Sequence, residues 1–146
     1  MKWLRFLHGG EPAFGTLDGD TVLRQRGHLF GATEPTGERL PLAGLALLAP
    51  VVPGKVIGLW NNFRAAAEKN GWAAPAEPLY FLKSPGSVVG PGHPIPVPTS
   101  YDGRVAYEGE LAVVIGRRAR AVSVDNAPSH IFGYCCANDV TALELL

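Results

Sequence analysis

The sequence predicts a mainly β protein of the α+β class, and two observations support that prediction. Runs rich in β-branched and aromatic residues recur along the chain, and clusters of Gly, Pro, Asn and Asp separate them. Helical signals are few and short: residues 63–71 contain three alanines and end at Asn-Gly, and a second short helix is predicted through residues 123–130. Short helices beside many strands indicate a sheet protein.

The first 48 residues predict a small antiparallel β unit. Its predicted strands are residues 2–6, 14–17, 21–23 and 28–30. The turn Asp18-Gly19-Asp20 joins the second and third strands into a hairpin, because glycine tolerates a positive φ. Residues 31–39 are polar and rich in Gly, Pro and Thr, which predicts a loop.

Two prolines and a glycine between Leu48 and Gly54 predict a boundary, so that a second unit covers residues 49–146. Its predicted strands are residues 55–59, 79–82, 107–116 and 131–140, and the first, third and fourth are expected to be buried. The helix over 63–71 is expected to begin at an Asn cap. The proline-rich segment 84–100 is expected to run over the surface or to line the mouth of a site.

Composition excludes several classes of partner. The 146 residues contain 13 Lys plus Arg and 13 Asp plus Glu, so no net charge favours nucleic acid or an anionic membrane. No apolar run approaches the ~18 residues that a membrane span needs. Cys135 and Cys136 are adjacent, a spacing that suits neither a disulfide nor a metal-binding pair. We therefore expect a cytoplasmic protein.

Glu108 and Glu110 form the most informative local pattern. They lie at the start of a strongly β-prone run, and alternation along a strand directs both side chains to the same face. Burying two carboxylates is costly unless a cation neutralises them. With oxygen ligands and no His or Cys in the motif, the expected cation is Mg2+ or Mn2+. The alternative is a strand end whose two glutamates face water.

Four separated motifs resemble the fumarylacetoacetate hydrolase superfamily. They are Pro53-Gly54-Lys55-Val56-Ile57-Gly58-Leu59, Pro78-Leu79-Tyr80-Phe81-Leu82-Lys83-Ser84-Pro85, Val105-Ala106-Tyr107-Glu108-Gly109-Glu110-Leu111-Ala112-Val113-Val114-Ile115-Gly116, and Ile131-Phe132-Gly133-Tyr134 with Ala137-Asn138-Asp139-Val140-Thr141-Ala142. The resemblance runs from about Lys2 to the last residue. It implies a mixed β-sheet roll with short helices, beside which the N-terminal unit packs.

The resemblance also implies roles for particular residues. Glu108, Glu110 and Asp139 match the three protein ligands of the family's metal ion. Asp139 follows Glu110 by 29 positions, which leaves room for a turn, a helix and a return strand that brings the third carboxylate beside the first two. Asn138 is expected to orient the ligands from a second layer. Lys83 is expected near the substrate.

Basic and phenolic residues are candidates for substrate binding. Tyr101 and Arg104, in the turn before the metal strand, are expected to reach a bound anion. Arg64, Lys83 or Arg104 is expected to hold the distal carboxylate of a diacid.

The helix departs from the family pattern. Many members carry a His there, with a nearby Glu, and the pair activates water for C–C hydrolysis. Positions 64–67 here are Arg, Ala, Ala and Ala, which leaves Glu68 as the remaining carboxylate and candidate catalytic group. A solvated helix face is the alternative role for Glu68. The missing His argues against the hydrolase reaction.

The sequence stops soon after Asp139, whereas catalytic domains of the family continue well beyond this position. We therefore expect an incomplete catalytic part: one piece of a longer or split polypeptide, or a subunit that another chain completes. A homodimer, or association with a homologous or completing chain, is the expected assembly.

The resemblance implies a Mg2+- or Mn2+-dependent enzyme of 2-oxo or 2-hydroxydienoic acid catabolism, within the degradation of aromatic compounds. The metal is expected to stabilise an enolate. The branch expected is that of 2-hydroxyhepta-2,4-diene-1,7-dioate isomerases and the related decarboxylases. The alternatives are an acylpyruvate or fumarylacetoacetate-type C–C hydrolase, an oxaloacetate decarboxylase, and a non-catalytic partner subunit of such an enzyme.

Overall fold

The computed structural model describes residues 1–145. Most of the regular structure in this range is strand, as predicted. The strands are β1 (Lys2–His8), β2 (Glu11–Asp18), β3 (Thr21–Gly27), β4 (Thr33–Pro41), β5 (Leu47–Leu48), β6 (Val56–Trp60), β7 (Leu79–Lys83), β8 (Val105–Ile115) and β9 (Ile131–Ala142). One α-helix, α1 (Arg64–Asn70), lies among them, with 3-10 turns at Pro85–Ser87, Val124–His130 and Leu143–Leu145.

The strands form three antiparallel sheets. The first five make one sheet in the order β4-β3-β2-β1-β5, while β6 pairs with β7 and β8 pairs with β9. The predicted hairpin between β2 and β3 is confirmed, and Gly19 in its turn has a φ of 57°. The α+β fold class with an N-terminal antiparallel sheet is therefore confirmed.

The five-stranded sheet contains the best-packed part of the chain. Phe6 on β1 and Val22 on β3 are both 0% exposed. The sheet and the turn between β3 and β4 also contact the start of β9 through aromatic rings. Phe132 lies 6.2 Å from Trp3 on β1 and 5.0 Å from Phe30 in the turn, between ring centroids. These contacts join the N-terminal sheet to the hairpin that carries the acidic residues.

Two predictions in the N-terminal unit are wrong. Residues 28–30 form a turn and not a strand, and most of the predicted loop 31–39 belongs to strand β4. β4 pairs only with β3, so it is an edge strand whose outer side needs no apolar residues. An edge strand also tolerates Pro35, which in a central strand would remove a ladder hydrogen bond.

Ion pairs support the β3–β4 pairing. Arg24 bonds Glu38 at 2.8 Å, and Arg26 bonds Glu34 at 2.9 Å. Cross-strand pairs of opposite charge stabilise a sheet by roughly 0.2–1 kcal/mol each. Charge pairing therefore helps to stabilise β4, a strand that the search for alternating apolar residues did not predict.

Helix α1 is shorter than predicted at its start and ends as predicted. Phe63 precedes its first turn and makes no side-chain cap, so the expected Asn cap is wrong. Asn61 instead has a φ of 53° and its Nδ2 donates to the Ala73 carbonyl at 2.9 Å. Gly71 ends the helix at a φ of 68°. Within residues 1–145, no helix is long and apolar enough to cross a membrane.

The strands of the second unit lie where the sequence predicts them, but they are not buried in this chain. Ile57 on β6 is 56% exposed, Leu111 on β8 is 66% exposed and Tyr134 on β9 is 62% exposed. The accessible surface is 11154 Å². A compact monomer of 15.5 kDa exposes about 7,200 Å². The β6–β7 and β8–β9 sheets, whose outer faces no other layer covers in residues 1–145, account for this excess of accessible surface.

Candidate metal centre

The β8–β9 ladder brings the three predicted ligands to one face. Glu108 lies directly opposite Asp139, and Glu110 lies opposite Ala137, two residues away along each strand and therefore on the same face. We call this face, defined by Glu108, Glu110 and Asp139, the acidic face. Ala106 and Ala112 flank the two glutamates on this face of β8.

The electrostatics of the acidic face favour a cation. Burial raises the pKa of Glu110, and the negative charges of Glu108 and Asp139 raise it further. A dication beside these carboxylates would remove the repulsion that disfavours their ionised forms. Three carboxylates with no imidazole between them suit hard ions such as Mg2+ and Mn2+.

Lys83, at the end of β7, is the cation that contacts the acidic face in this structure. Its Nζ lies 2.5 Å from Oδ1 of Asp139. The same ammonium donates to the carbonyl of Val140 at 3.1 Å and to Oγ1 of Thr141 at 3.2 Å. Phe81 lies beneath it, with the ring centroid 5.8 Å from Nζ. Lys83 therefore contacts the acidic face directly, and its expected role near the substrate stays a prediction.

Within residues 1–145, no three acidic, His or Cys side chains are close enough together to hold an ion between them as positioned. Like charges that share a face repel one another, and Lys83 draws Asp139 toward β7. The acidic face therefore has the oxygen donors that a hard dication needs, but its side chains would have to move closer together to bind the ion.

Cys135 also lies on this face of the ladder, opposite Ala112. Burial raises the pKa of its thiol, and the adjacent Cys136 raises it further. A thiol held in its protonated form is a poor metal ligand. The carboxylates are therefore the candidate donors.

Tyr101 and Arg104, expected to bind substrate, instead contact Glu144. The Tyr101 hydroxyl donates to the Glu144 carboxylate, and its oxygen lies 2.7 Å from the Arg104 carbonyl oxygen. The Arg104 backbone N–H donates to Oε2 of Glu144 at 2.9 Å, and its Nε lies 3.4 Å from Oε1. We call this group the clasp. Its substrate-binding role stays a prediction, and both side chains would have to leave Glu144 to fulfil it.

The remaining predicted site residues lie apart from these contacts. Arg64 and Glu68 are exposed on α1, whereas Ala67 is the residue that the helix buries. Asn138 lies opposite Gly109, so strand alternation directs it away from the acidic face. Roles for Arg64, Glu68 and Asn138 stay predictions. The Asn138 side chain lies on the opposite face of β9 from the Asp139 carboxylate that it was expected to orient.

Sequence reasoning missed two members of the site. Thr141 follows Asp139 by two positions, so strand alternation already implies that it shares the acidic face. Glu144 gave no comparable signal, because its partners are 40 or more positions earlier in the chain. Its contacts depend on the pairing of β8 with β9.

Two family models match the chain. The one described as "Fumarylacetoacetate (FAA) hydrolase C-terminal" matches residues 55–146, and the one described as "Rv2993c-like, N-terminal" matches residues 1–50. Among curated proteins, Protein Rv2993c of Mycobacterium tuberculosis is 37% identical over 90% of this chain and 52% of its own length. Oxaloacetate tautomerase YisK of Bacillus subtilis is 39% identical over 71% of this chain and 36% of its own length.

Solved structures show the same likeness. The 2-hydroxyhepta-2,4-diene-1,7-dioate isomerase of Mycobacterium marinum has a TM-score of 0.85 and 35% identity, over 99% of this chain and 56% of that one. The maleylpyruvate hydrolase of Sphingobium sp. SYK-6, in complex with manganese and pyruvate, has a TM-score of 0.71 and 27% identity, over 97% and 59% of the two chains. The chain spans about half the length of the relatives first matched.

Proposed function

The chain belongs to the fumarylacetoacetate hydrolase family, and from this membership we propose that it carries the ion-binding part of an enzyme of 2-oxo or 2-hydroxydienoic acid catabolism. The reaction proposed is isomerisation or decarboxylation, as in 2-hydroxyhepta-2,4-diene-1,7-dioate isomerases and related decarboxylases. Mg2+ or Mn2+ is the proposed cofactor.

One observation carries this proposal: Glu108 and Asp139 face each other across the ladder, with Glu110 on the same face. The donors fit a hard dication, and the pKa of Glu110 is raised by burial and then by the negative charges of Glu108 and Asp139. The Sphingobium relative was solved with manganese and pyruvate, which supports both the ion and a 2-oxo acid ligand.

An ion held by Glu108, Glu110 and Asp139 would supply Lewis-acid stabilisation of negative charge on an enolate oxygen. The chain's own residues would then place the substrate. Lys83 lies at the edge of the acidic face and supplies a positive charge there. Arg64, exposed on α1, is the proposed partner of the distal carboxylate of a diacid.

The choice of isomerisation or decarboxylation over C–C hydrolysis rests on helix α1. It presents Arg64 and three alanines where a water-activating His is expected, and its single carboxylate, Glu68, is exposed. Tautomerisation and decarboxylation of a 2-oxo acid need enolate stabilisation and proton transfer, but no activated water. The absence of a His from α1 therefore favours isomerisation or decarboxylation, which an ion held by Glu108, Glu110 and Asp139 can assist.

A second candidate is an oxaloacetate tautomerase or decarboxylase, which the similarity to the Bacillus subtilis tautomerase favours. A third is a non-catalytic subunit that packs on an active homologue. The wide exposure of β6 to β9 supports that role, because such surfaces need a covering chain.

Turnover assays distinguish these candidates. The protein, alone and together with candidate completing chains, is incubated with Mn2+ and a panel of 2-oxo and 2-hydroxydienoic diacids, oxaloacetate included. We expect tautomerisation or decarboxylation of at least one diacid, and loss of that activity in Glu108→Gln. We also expect oxalate, an enolate mimic, to raise the melting temperature only when Mn2+ is present.

Failure of every diacid to react, together with no oxalate-dependent stabilisation, would contradict the enzymatic proposal. Oxalate stabilisation without turnover would favour the non-catalytic subunit. Pyruvate released from an acylpyruvate would favour the hydrolase alternative.

A further inference from the structure

The Lys83–Asp139 pair is the least exposed ion pair among residues 1–145. The two side chains are 26% and 21% exposed, whereas the other ion pairs in that range have at least one side chain that is 36% exposed or more. Partial burial weakens solvent screening, so this contact is stronger than a surface pair. Lys83 also makes the only hydrogen bonds between the β6–β7 and β8–β9 sheets in the part of the chain that the structure describes.

Lys83 does not neutralise the acidic face. Its single positive charge bonds Asp139, while Glu108 and Glu110 make no ion pair in residues 1–145. Its remaining two contacts are with neutral acceptors, the Val140 carbonyl and the Thr141 hydroxyl. The ammonium could therefore give up Asp139 and keep two hydrogen-bond partners.

We propose that Lys83 is a resident counter-ion of the acidic face, which holds Asp139 while no dication is bound and releases this carboxylate when a dication arrives. This inference rests on the proposed function, since it assumes that the acidic face binds a dication. The ladder register between Glu108 and Asp139 belongs to the backbone and does not need Lys83. Lys83 therefore competes with the ion and does not position its ligands.

Competition and positioning predict opposite effects of removing the ammonium. If Lys83 competes for Asp139, its loss strengthens dication binding, because the ion no longer displaces a positive charge. If Lys83 served to position Asp139, its loss would weaken binding. Without metal, both roles predict a less stable protein, so affinity is the deciding measurement.

The test compares Lys83→Met with Lys69→Met. Both variants delete one ammonium, but Lys69 lies exposed in the last turn of α1. Mn2+ affinity is measured by electron paramagnetic resonance, and melting temperature is measured with a chelator present. We expect Lys83→Met to bind Mn2+ about tenfold more tightly and to melt at a lower temperature without metal. We expect Lys69→Met to match the wild type in both measurements.

A second variant tests the exchange without deleting the lysine. Thr141→Val keeps the side-chain shape and removes the hydroxyl that remains with the ammonium after exchange. The hydroxyl bonds the ammonium before and after exchange, but it is one of only two remaining acceptors once Asp139 has left, so its loss costs more in the metal-bound state. We therefore expect Mn2+ affinity to fall about threefold.

Equal or weaker Mn2+ binding by Lys83→Met, with binding by the wild type intact, would overturn the counter-ion role alone. Absence of Mn2+ binding by the wild type would overturn the proposed function and, with it, this inference. If Lys83→Met fails to fold, the Thr141→Val variant decides: an Mn2+ affinity equal to that of the wild type would overturn the proposal that Lys83 releases Asp139 when a dication binds.

Discussion

Glu108 and Asp139 face each other across two antiparallel strands, an arrangement of like charges that destabilises a sheet. The pKa of Glu110 is raised, chiefly by burial and then by these two neighbours. Lys83 offsets only part of this charge. At the scale of single residues, repulsion within the acidic face therefore lowers the folding stability of the metal-free protein at neutral pH, and the same carboxylates are the proposed ligands of a cation.

Glu110→Gln tests this trade-off. Because the folded-state pKa of Glu110 is above its ordinary value, the folded protein binds the proton more strongly than the unfolded chain. Stability is therefore lost as pH rises through the range between the two values. We expect Glu110→Gln to stabilise the metal-free protein at pH 7 by about 0.5 kcal/mol, and the gain to disappear at pH 4.

Urea denaturation with a chelator present measures this difference. Glu77→Gln, at an exposed position outside the acidic face, is the matched control and should leave stability unchanged. A Glu110→Gln variant that is less stable than the wild type at pH 7 would show that the carboxylate has a stabilising partner.

The clasp joins the segment before β8 to the turn after β9. Besides the side-chain contacts of Glu144, the Leu143 N–H donates to the Arg104 carbonyl at 3.0 Å. The Tyr101 hydroxyl lowers the pKa of Glu144, and the Arg104 backbone N–H contributes to the same effect. At the scale of elements, the clasp fixes the end of the hairpin nearest to Glu108 and Asp139.

Tyr101→Phe should loosen this end of the hairpin. We expect the Arg104 and Leu143 amides to exchange hydrogen several-fold faster than in the wild type at pH 7, while Tyr80→Phe, at an exposed position on β7, leaves them unchanged. Because the folded-state pKa of Glu144 is lowered, its contribution is complete above its ordinary pKa and is lost as pH falls through the lowered value. The difference between wild type and Tyr101→Phe should therefore shrink in acid. Equal protection at pH 7 would contradict a stabilising clasp.

The whole molecule exposes more surface than its mass requires. On the face of β8 opposite the acidic face, Tyr107 is 82% exposed, and Leu111, Val113 and Ile115 are about half or more exposed. Contiguous apolar surface of this kind marks an interaction site. We propose that a second chain, either another copy or a homologous completing chain, covers this face.

Leu111→Glu should weaken this association. Sedimentation velocity is expected to show concentration-dependent self-association of the wild type, and a shift toward monomer in the variant, because a buried unpaired carboxylate is costly. Ala66→Glu, on the exposed face of α1, adds the same charge and should have no effect. A wild-type protein that stays monomeric at every concentration, and also when mixed with a homologous chain, would contradict the proposal.

The sequence predicted these features unevenly, for physical reasons. Alternation along one strand is local, so the shared face of Glu108 and Glu110 could be predicted from residue types. The position of Asp139 opposite Glu108 depends on ladder register across 15 intervening residues between the two strands, and only the family resemblance indicated it. The predicted burial of β8 was wrong, because a run of apolar residues does not show whether another layer covers the strand. Edge strand β4 was missed because its outer side needs no apolar pattern.

The most direct test of the central claim is a Mn2+ titration of the wild-type protein and of Glu108→Gln, Glu110→Gln and Asp139→Asn. The three carboxylates should bind one ion per chain, and each variant should bind at least about tenfold more weakly. Wild-type affinity in any one of the three variants would remove that residue from the site, and wild-type affinity in all three would contradict the account.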